Sequence, residues 1–111
     1  MTAITIAGRS IGPDHPPFVI AEISANHNGR LETAQAILEA ASKAGADAVK
    51  LQTYRPDTIT LNSDAEDFRI KGGLWDGRTL YELYEEAHMP WDWHKPLFTR
   101  ARELGIIIFS S

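Results

Sequence analysis

Apolar and polar positions along the chain first follow the order of a strand, a polar loop and a helix. The apolar run from Phe18 to Ala21 predicts a buried strand over residues 18–24, although Glu22 places a carboxylate inside it. A polar cluster follows the strand, and a helical pattern begins directly after it. Parallel α/β proteins bind ligands at the carboxyl ends of their strands, so this stretch is a candidate site. The cluster comprises Ser24, Asn26, His27 and Asn28.

The following residues complete a strand–helix–strand unit. Apolar side chains recur at spacings of three and four, which predicts a helix over residues 31–44 that Gly45 caps. Residues 48–53 predict a second strand. Because a helix joins the two strands, we expect them to be parallel.

Two less regular segments surround this unit. Residues 3–11 predict a short strand, paired in a hairpin with a second short strand near residues 15–17. Residues 54–78 show little periodicity and predict a long loop that is functional or mobile.

The last third of the chain predicts two helices and a third strand. Thr79 and Glu82 match a capping box at the start of a short helix, and a second helix is expected over residues 92–104. The continuous apolar run in residues 106–111 is typical of a strand buried on both faces. Such a strand needs neighbours, so we expect an N-terminal piece of a longer protein that is poorly soluble or only partly folded alone.

Composition narrows the function classes. A net charge of -4 provides no basic surface, which argues against nucleic acid as a partner. The absence of cysteine excludes disulfides and thiolate metal sites and is compatible with a reducing cytosol. The sequence contains no apolar run long enough to span a membrane and no signal-peptide pattern, so we expect a cytoplasmic protein without a membrane partner.

Strand periodicity brings two charged residues onto one face. In the second strand Lys50 and Gln52 point away from Val49 and Leu51, which suit packing against helices. A lysine in this position either forms a structural ion pair with Glu22 or binds an anionic group such as phosphate. Glu22 in turn could accept a substrate hydroxyl or transfer a proton.

Other polar residues give weaker signals. His27 alone is a poor metal candidate, and His15, His88 and His94 are expected to be structural or surface residues. Asn26 could bind a polar substrate or form a turn, and Ser110 and Ser111 could hold an oxyanion. No glycine-rich nucleotide motif, nucleophile elbow or paired-histidine zinc motif is present. The residues alone therefore predict a βα-type unit with an anion-binding site at its strand ends.

Three ordered motifs over nearly the whole chain resemble the sialic acid synthase family. They are FVIAEISANHNG, GADAVKLQTY and LWDGRTLYELYEEAHMPWDWHKPLFTRARELGIIIFSS. The segment LWDGRTLYELYEEAHMPWDWH most resembles the pseudaminic acid synthase branch, with the N-acetylneuraminic and legionaminic branches as alternatives. The resemblance implies an α/β fold, the N-terminal part of a (β/α)8 TIM barrel. Residues 1–111 would form one partial domain, and the family's C-terminal antifreeze-like domain would be absent.

The resemblance also implies a reaction. Such synthases condense phosphoenolpyruvate with an acetamido sugar, which in the pseudaminic branch is 2,4-diacetamido-2,4,6-trideoxy-L-altrose. A divalent metal, manganese or magnesium, would polarise the sugar aldehyde and be bound by residues outside this chain. The full-length enzyme would be a homodimer. This segment alone would be inactive, and a remnant that only binds another synthase subunit is a further alternative.

The family's roles fall on residues that the pattern had already indicated. Glu22 is expected to contact the sugar and assist proton transfer. Lys50 is expected to bind phosphoenolpyruvate, Gln52 to reach the sugar, and Ser111 to hold phosphoenolpyruvate. Asn26 is a further expected substrate ligand, and no metal ligand is expected in this segment.

Overall fold

A parallel three-stranded sheet lies at the centre of the fold. The computed structural model describes residues 2–111. Strands β3 (Ile20–Ile23), β4 (Ala48–Leu51) and β5 (Ile107–Ser110) run parallel with β4 in the middle. The three predicted parallel strands are confirmed, and each is shorter than its predicted range.

Helices cover one face of this sheet. Helix α1 (Leu31–Lys43) and helix α4 (His94–Leu104) pack against each other and against the strands, and α3 (Leu80–Ala87) precedes α4 along the chain. No helix in residues 2–111 is long and apolar enough to cross a membrane. Val49 and Leu51 are fully buried in the helix-facing core, as strand periodicity predicts. The largest fully buried apolar side chains are Ile23, Leu38, Val49, Leu51, Met89 and Leu97.

Both predicted helix caps are present. At the end of α1, Gly45 adopts a φ of 91°, and the next amide, Ala46 N–H, donates to Ala41 O at 3.0 Å. This bond closes a Schellman-type turn, which a residue without Cβ forms most easily. At the start of α3, Thr79 Oγ1 accepts a hydrogen bond from Glu82 N–H at 3.2 Å.

The predicted hairpin exists, but its predicted strands were wrong. Strands β1 (Ile4–Ile6) and β2 (Arg9–Ile11) are antiparallel and both lie inside the predicted first strand. Ala7 and Gly8 have positive φ values of 50° and 81° and form a two-residue turn between them. This conformation matches the twist of a tight hairpin, so the chain reverses earlier than the expected pairing with residues 15–17 required.

The segment 54–78 is less irregular than predicted. It contains a one-turn helix α2 (Pro56–Ile59), a 3-10 turn at Glu66–Phe68 and an isolated bridge between Arg69 and Thr79. Local hydrogen bonds produce this regular structure. Such bonds leave no periodic pattern in the sequence, so the sequence did not predict it.

The sheet face opposite the helices is apolar at its amino end. Six side chains line a hollow of about 290 Å³ there. Ile20 is 45% exposed and Phe109 38% exposed, so helices do not cover this face. The hollow is lined by Ile6, Phe18, Ile20, Ala48, Ile107 and Phe109.

Candidate functional site

Glu22 and Lys50 lie side by side at the carboxyl ends of β3 and β4. They are register partners, and Lys50 Nζ donates a hydrogen bond to Glu22 Oε1 at 3.0 Å. The ion pair that the sequence left open as one alternative is therefore present. The Lys50 side chain is 30% exposed and that of Glu22 48% exposed. An ion pair this accessible stabilises a fold by about 0–1 kcal/mol, so an anionic ligand can compete for the lysine.

Gln52 and Ser111 extend the same edge of the sheet. Gln52 directly follows β4 and is half-buried, while Ser111 directly follows β5 and is exposed. The backbone N–H of Ser111 donates to Leu51 O at 3.1 Å, which continues the pairing of the two strands. The structure thus places the predicted ligands of both substrates at one end of the sheet, and their roles stay predictions.

Asn26 has a local structural contact. It lies in a 3-10 turn, Ala25–His27, and its Oδ1 accepts a hydrogen bond from Ser24 N–H at 2.9 Å. This contact is the turn-forming alternative that the sequence left open. Its role as a substrate ligand stays a prediction.

His27 is a buried core histidine. It is 1% exposed, its Nδ1 accepts from Gly29 N–H at 2.9 Å, and its ring meets Trp93 edge-on with centroids 5.0 Å apart. Burial lowers the pKa of His27 because it disfavours the cation, and the nearby Ala87 carbonyl partly opposes this effect. In the described chain, no partner meets hydrogen-bond geometry at Nε2. His27 therefore acts in packing against Trp93.

Three polar residues that the sequence did not single out together meet beside the strand ends. Ser110 Oγ donates to Thr53 Oγ1 at 2.7 Å, and Thr53 Oγ1 lies 2.5 Å from His94 Nε2. Thr53 and His94 are 41 positions apart. The sequence interpretation of His94 as structural or surface gave no sign of this contact, because only the packing of the first residue of α4 over the end of β4 creates it.

A separate polar cleft lies between the first βα loop and α3. It has a volume of about 190 Å³, and Trp75 from the long segment forms one wall beside Asn28 and Glu86. Arg78 lies 5.3 Å from the Trp75 ring and donates to Glu86 at 2.6 Å, and this bond raises the pKa of Arg78. None of Glu22, Lys50, Gln52 and Ser111 lines the cleft.

Within residues 2–111, no group of three or more His, Asp or Glu side chains is placed to hold a metal ion. The described residues thus do not fit a complete metal centre. That the ligands of a metal lie elsewhere stays a prediction.

Comparisons with known proteins indicate one family for this chain. Residues 37–111 match the NeuB family. The chain is 61% identical over 98 residues to a pseudaminic acid synthase from Campylobacter jejuni, covering 88% of the chain and 29% of that protein. It is 53% identical over 96 residues to a pseudaminic acid synthase from Helicobacter pylori, covering 86% of the chain and 28% of that protein. The chain thus spans less than a third of these relatives.

A solved structure shares the fold. The crystal structure of an N-acetylneuraminic acid synthetase from Leptospira borgpetersenii, in complex with citrate, superposes with a TM-score of 0.74 at 25% identity. The match covers 98% of this chain and 33% of that one. The parallel strands, their helices and the preceding hairpin are those of the N-terminal part of a sialic acid synthase barrel.

Proposed function

The chain belongs to the NeuB family, and on that premise we propose that it is the N-terminal part of a pseudaminic acid synthase. The complete enzyme would condense phosphoenolpyruvate with 2,4-diacetamido-2,4,6-trideoxy-L-altrose and release pseudaminic acid and phosphate. The identity of 61% to a pseudaminic acid synthase over 98 residues carries this proposal. The lower identity of 25% to an N-acetylneuraminic acid synthetase favours the pseudaminic sugar over the N-acetylneuraminic precursor.

The geometry at the strand ends supports distinct tasks for the two charged residues. Lys50 offers an ammonium with three donors, which suits the phosphate or carboxylate of phosphoenolpyruvate. As the anion binds, the lysine would release Glu22, to which it now donates at 3.0 Å. The freed carboxylate would accept a hydrogen bond from a hydroxyl of the sugar and assist proton transfer.

The remaining residues would fix the reactants. Ser111 would donate to phosphoenolpyruvate, and Gln52 and Asn26 would bind the sugar. Carbon C3 of phosphoenolpyruvate then attacks the aldehyde carbon. Water adds at C2 of the resulting cation, and phosphate leaves with cleavage of the C–O bond.

The rest of the proposal concerns the complete protein. We propose a homodimer that works in the cytoplasm with manganese or magnesium held by residues outside this chain. Residues 1–111 alone would show no activity.

One assay tests the substrate. The full-length enzyme is given phosphoenolpyruvate together with the altrose derivative, N-acetylmannosamine or the legionaminic precursor, and phosphate release is measured. We expect release with the altrose derivative. Release with N-acetylmannosamine alone would contradict the pseudaminic assignment.

A further inference from the structure

Two neighbouring strands are joined at their carboxyl ends by hydroxyl groups and a histidine. Ser110, the last residue of β5, donates through Oγ to Thr53 Oγ1 at 2.7 Å. Thr53 Oγ1 contacts His94 Nε2 at 2.5 Å. His94 is the first residue of α4, and its ring also packs on Phe98 at a centroid distance of 5.6 Å. The contact therefore links β4, β5 and α4 at a single point.

One assignment of donors and acceptors gives a consistent direction along this chain of contacts. A hydroxyl donates one hydrogen and can accept others. If Thr53 accepts from Ser110, its own hydrogen points to His94 Nε2. His94 then accepts at Nε2 and carries its proton on Nδ1, so one neutral tautomer completes the chain.

The contact also orients the residues next to Thr53 and Ser110 in the sequence. Gln52 immediately precedes Thr53, and Ser111 immediately follows Ser110. Successive side chains of an extended segment point to opposite sides, so fixing Thr53 and Ser110 toward α4 turns Gln52 and Ser111 to the substrate side. The Ser111 N–H bond to Leu51 O, at 3.1 Å, holds the same pair of strand ends.

We infer that His94, Thr53 and Ser110 form a hydrogen-bonded brace that positions Gln52 and Ser111 for the two substrates. The inference rests on the proposed function for the roles of Gln52 and Ser111. The three brace residues touch neither reactant and act as positioning residues. They fix the positions of the ligating groups of Gln52 and Ser111. Small displacements of such groups in an active site strongly change the reaction rate.

Paired substitutions in the full-length enzyme separate positioning from packing. Thr53→Val removes the hydroxyl at similar volume, and His94→Leu removes the acceptor. Thr53→Val breaks both hydrogen bonds of Thr53 Oγ1, and His94→Leu breaks one of them, so we expect KM for phosphoenolpyruvate to rise about tenfold or more in Thr53→Val and less in His94→Leu. Thr53→Ser and His94→Gln, which keep an acceptor or a hydroxyl in reach, should restore KM to within about twofold of the wild type. His15→Leu, in the exposed turn after β2, is the matched histidine control and should leave KM unchanged.

A double-mutant cycle measures the coupling between Thr53 and His94. If His94 acts through its contact with Thr53, the double variant Thr53→Val/His94→Leu should have the same KM as Thr53→Val alone. Multiplying effects, or single variants with unchanged KM and normal thermal unfolding, would overturn the inference.

A spectroscopic measurement tests the brace without relying on turnover. In the 15N-histidine-labelled enzyme, the signal that disappears in His94→Gln belongs to His94. We expect it to show an unprotonated Nε2 that shifts in Thr53→Val but not in His15→Leu. A His94 signal that does not shift in Thr53→Val would overturn the brace. Absence of turnover with every sugar would instead overturn the proposed function, and the histidine spectra would still decide the brace.

Discussion

At the scale of single residues, Lys50 is the side chain on which the proposed chemistry depends most. Its side chain is 30% exposed, and its Nζ donates to Glu22 Oε1 at 3.0 Å. Lys50→Ala in the full-length enzyme should raise KM for phosphoenolpyruvate about tenfold or more, because a charge-assisted contact to the anion is lost. Steady-state kinetics with varied phosphoenolpyruvate measures the effect.

The matched control is Lys43→Ala, which removes an exposed lysine from the last turn of α1. It should leave KM unchanged. A Lys50→Ala enzyme that binds phosphoenolpyruvate as well as the wild type would remove Lys50 from the site.

His27 supplies a pH dependence of stability. Burial holds the pKa of folded His27 below its ordinary value of about 6.5, so the unfolded chain takes up a proton first as the pH falls. The stability from neutral His27 is complete above about pH 6.5 and declines as the pH falls below it. His27→Asn keeps an acceptor for Gly29 N–H but cannot titrate, so its melting temperature should fall less between pH 7 and pH 5.

Comparison of the wild type with His27→Asn isolates the contribution of His27 to the pH dependence of the melting temperature. His27→Asn is expected to lower the melting temperature at every pH, since the contact with Trp93 is lost. His15→Asn, in an exposed turn, should keep the wild-type slope. Equal slopes in the wild type and His27→Asn would show that His27 does not titrate on unfolding in this range.

The sequence predicted which face of the sheet a side chain occupies better than it predicted the contacts of that side chain. Strand periodicity placed Glu22 and Lys50 on one face because the period of two is a property of the backbone. It could not decide between an ion pair and separate ligand contacts, since that depends on register and on ligands. The contact between Thr53 and His94 was missed, because it arises from the packing of the first residue of α4 over the end of β4, which has no periodic signature.

At the scale of elements, Asp47 links the hairpin to the sheet. Its Oδ2 accepts a hydrogen bond from Val19 N–H at 2.7 Å, and its carboxylate forms an ion pair with Arg9. Arg9 also donates to Pro17 O at 3.0 Å. These bonds fasten β2 to the residues that enter β3, so the hairpin is held against the amino end of the sheet.

Asp47→Leu should lower the free energy of unfolding by about 1–3 kcal/mol, because it removes the acceptor of Val19 N–H and the ion-pair partner of Arg9. Asp47→Asn keeps an acceptor oxygen and should recover part of this loss. Urea denaturation of the full-length protein measures both. Asp57→Leu removes an exposed carboxylate that lies 3.5 Å from Arg55 and should cost at most about 0.5 kcal/mol. Equal losses in Asp47→Leu and Asp57→Leu would contradict the link.

The hairpin also shows where element prediction failed. Ala7 adopts a positive φ, which alanine rarely does, so nothing in the dipeptide Ala7-Gly8 indicated a two-residue turn. The helices were predicted well because apolar spacing and caps agreed at the end of α1 and at the start of α3. In the segment 54–78, order comes from local bonds such as Gly72 N–H to Asp76, which have no periodic signature.

At the scale of the whole molecule, the two faces of the sheet differ. Helices bury Val49 and Leu51 completely on one face, whereas Ile20 and Phe109 on the other remain partly exposed. Exposed apolar patches of this kind promote association. In the proposed synthase, further strands of the barrel would cover this face, and the predicted inactivity and poor solubility of residues 1–111 follow from their absence.

A polypeptide of residues 1–111 made alone should therefore bind the dye 8-anilinonaphthalene-1-sulfonate and associate, as fluorescence and light scattering would show. Ile20→Thr/Phe109→Thr should weaken both effects and keep the circular dichroism of the helices, because threonine suits a strand and reduces the apolar face. Leu74→Thr, at a loop side chain that is 92% exposed, is the matched control and should change neither. A cooperative, monomeric unfolding transition without dye binding would show that the uncovered face does not limit folding, and the segment would then be an independent domain.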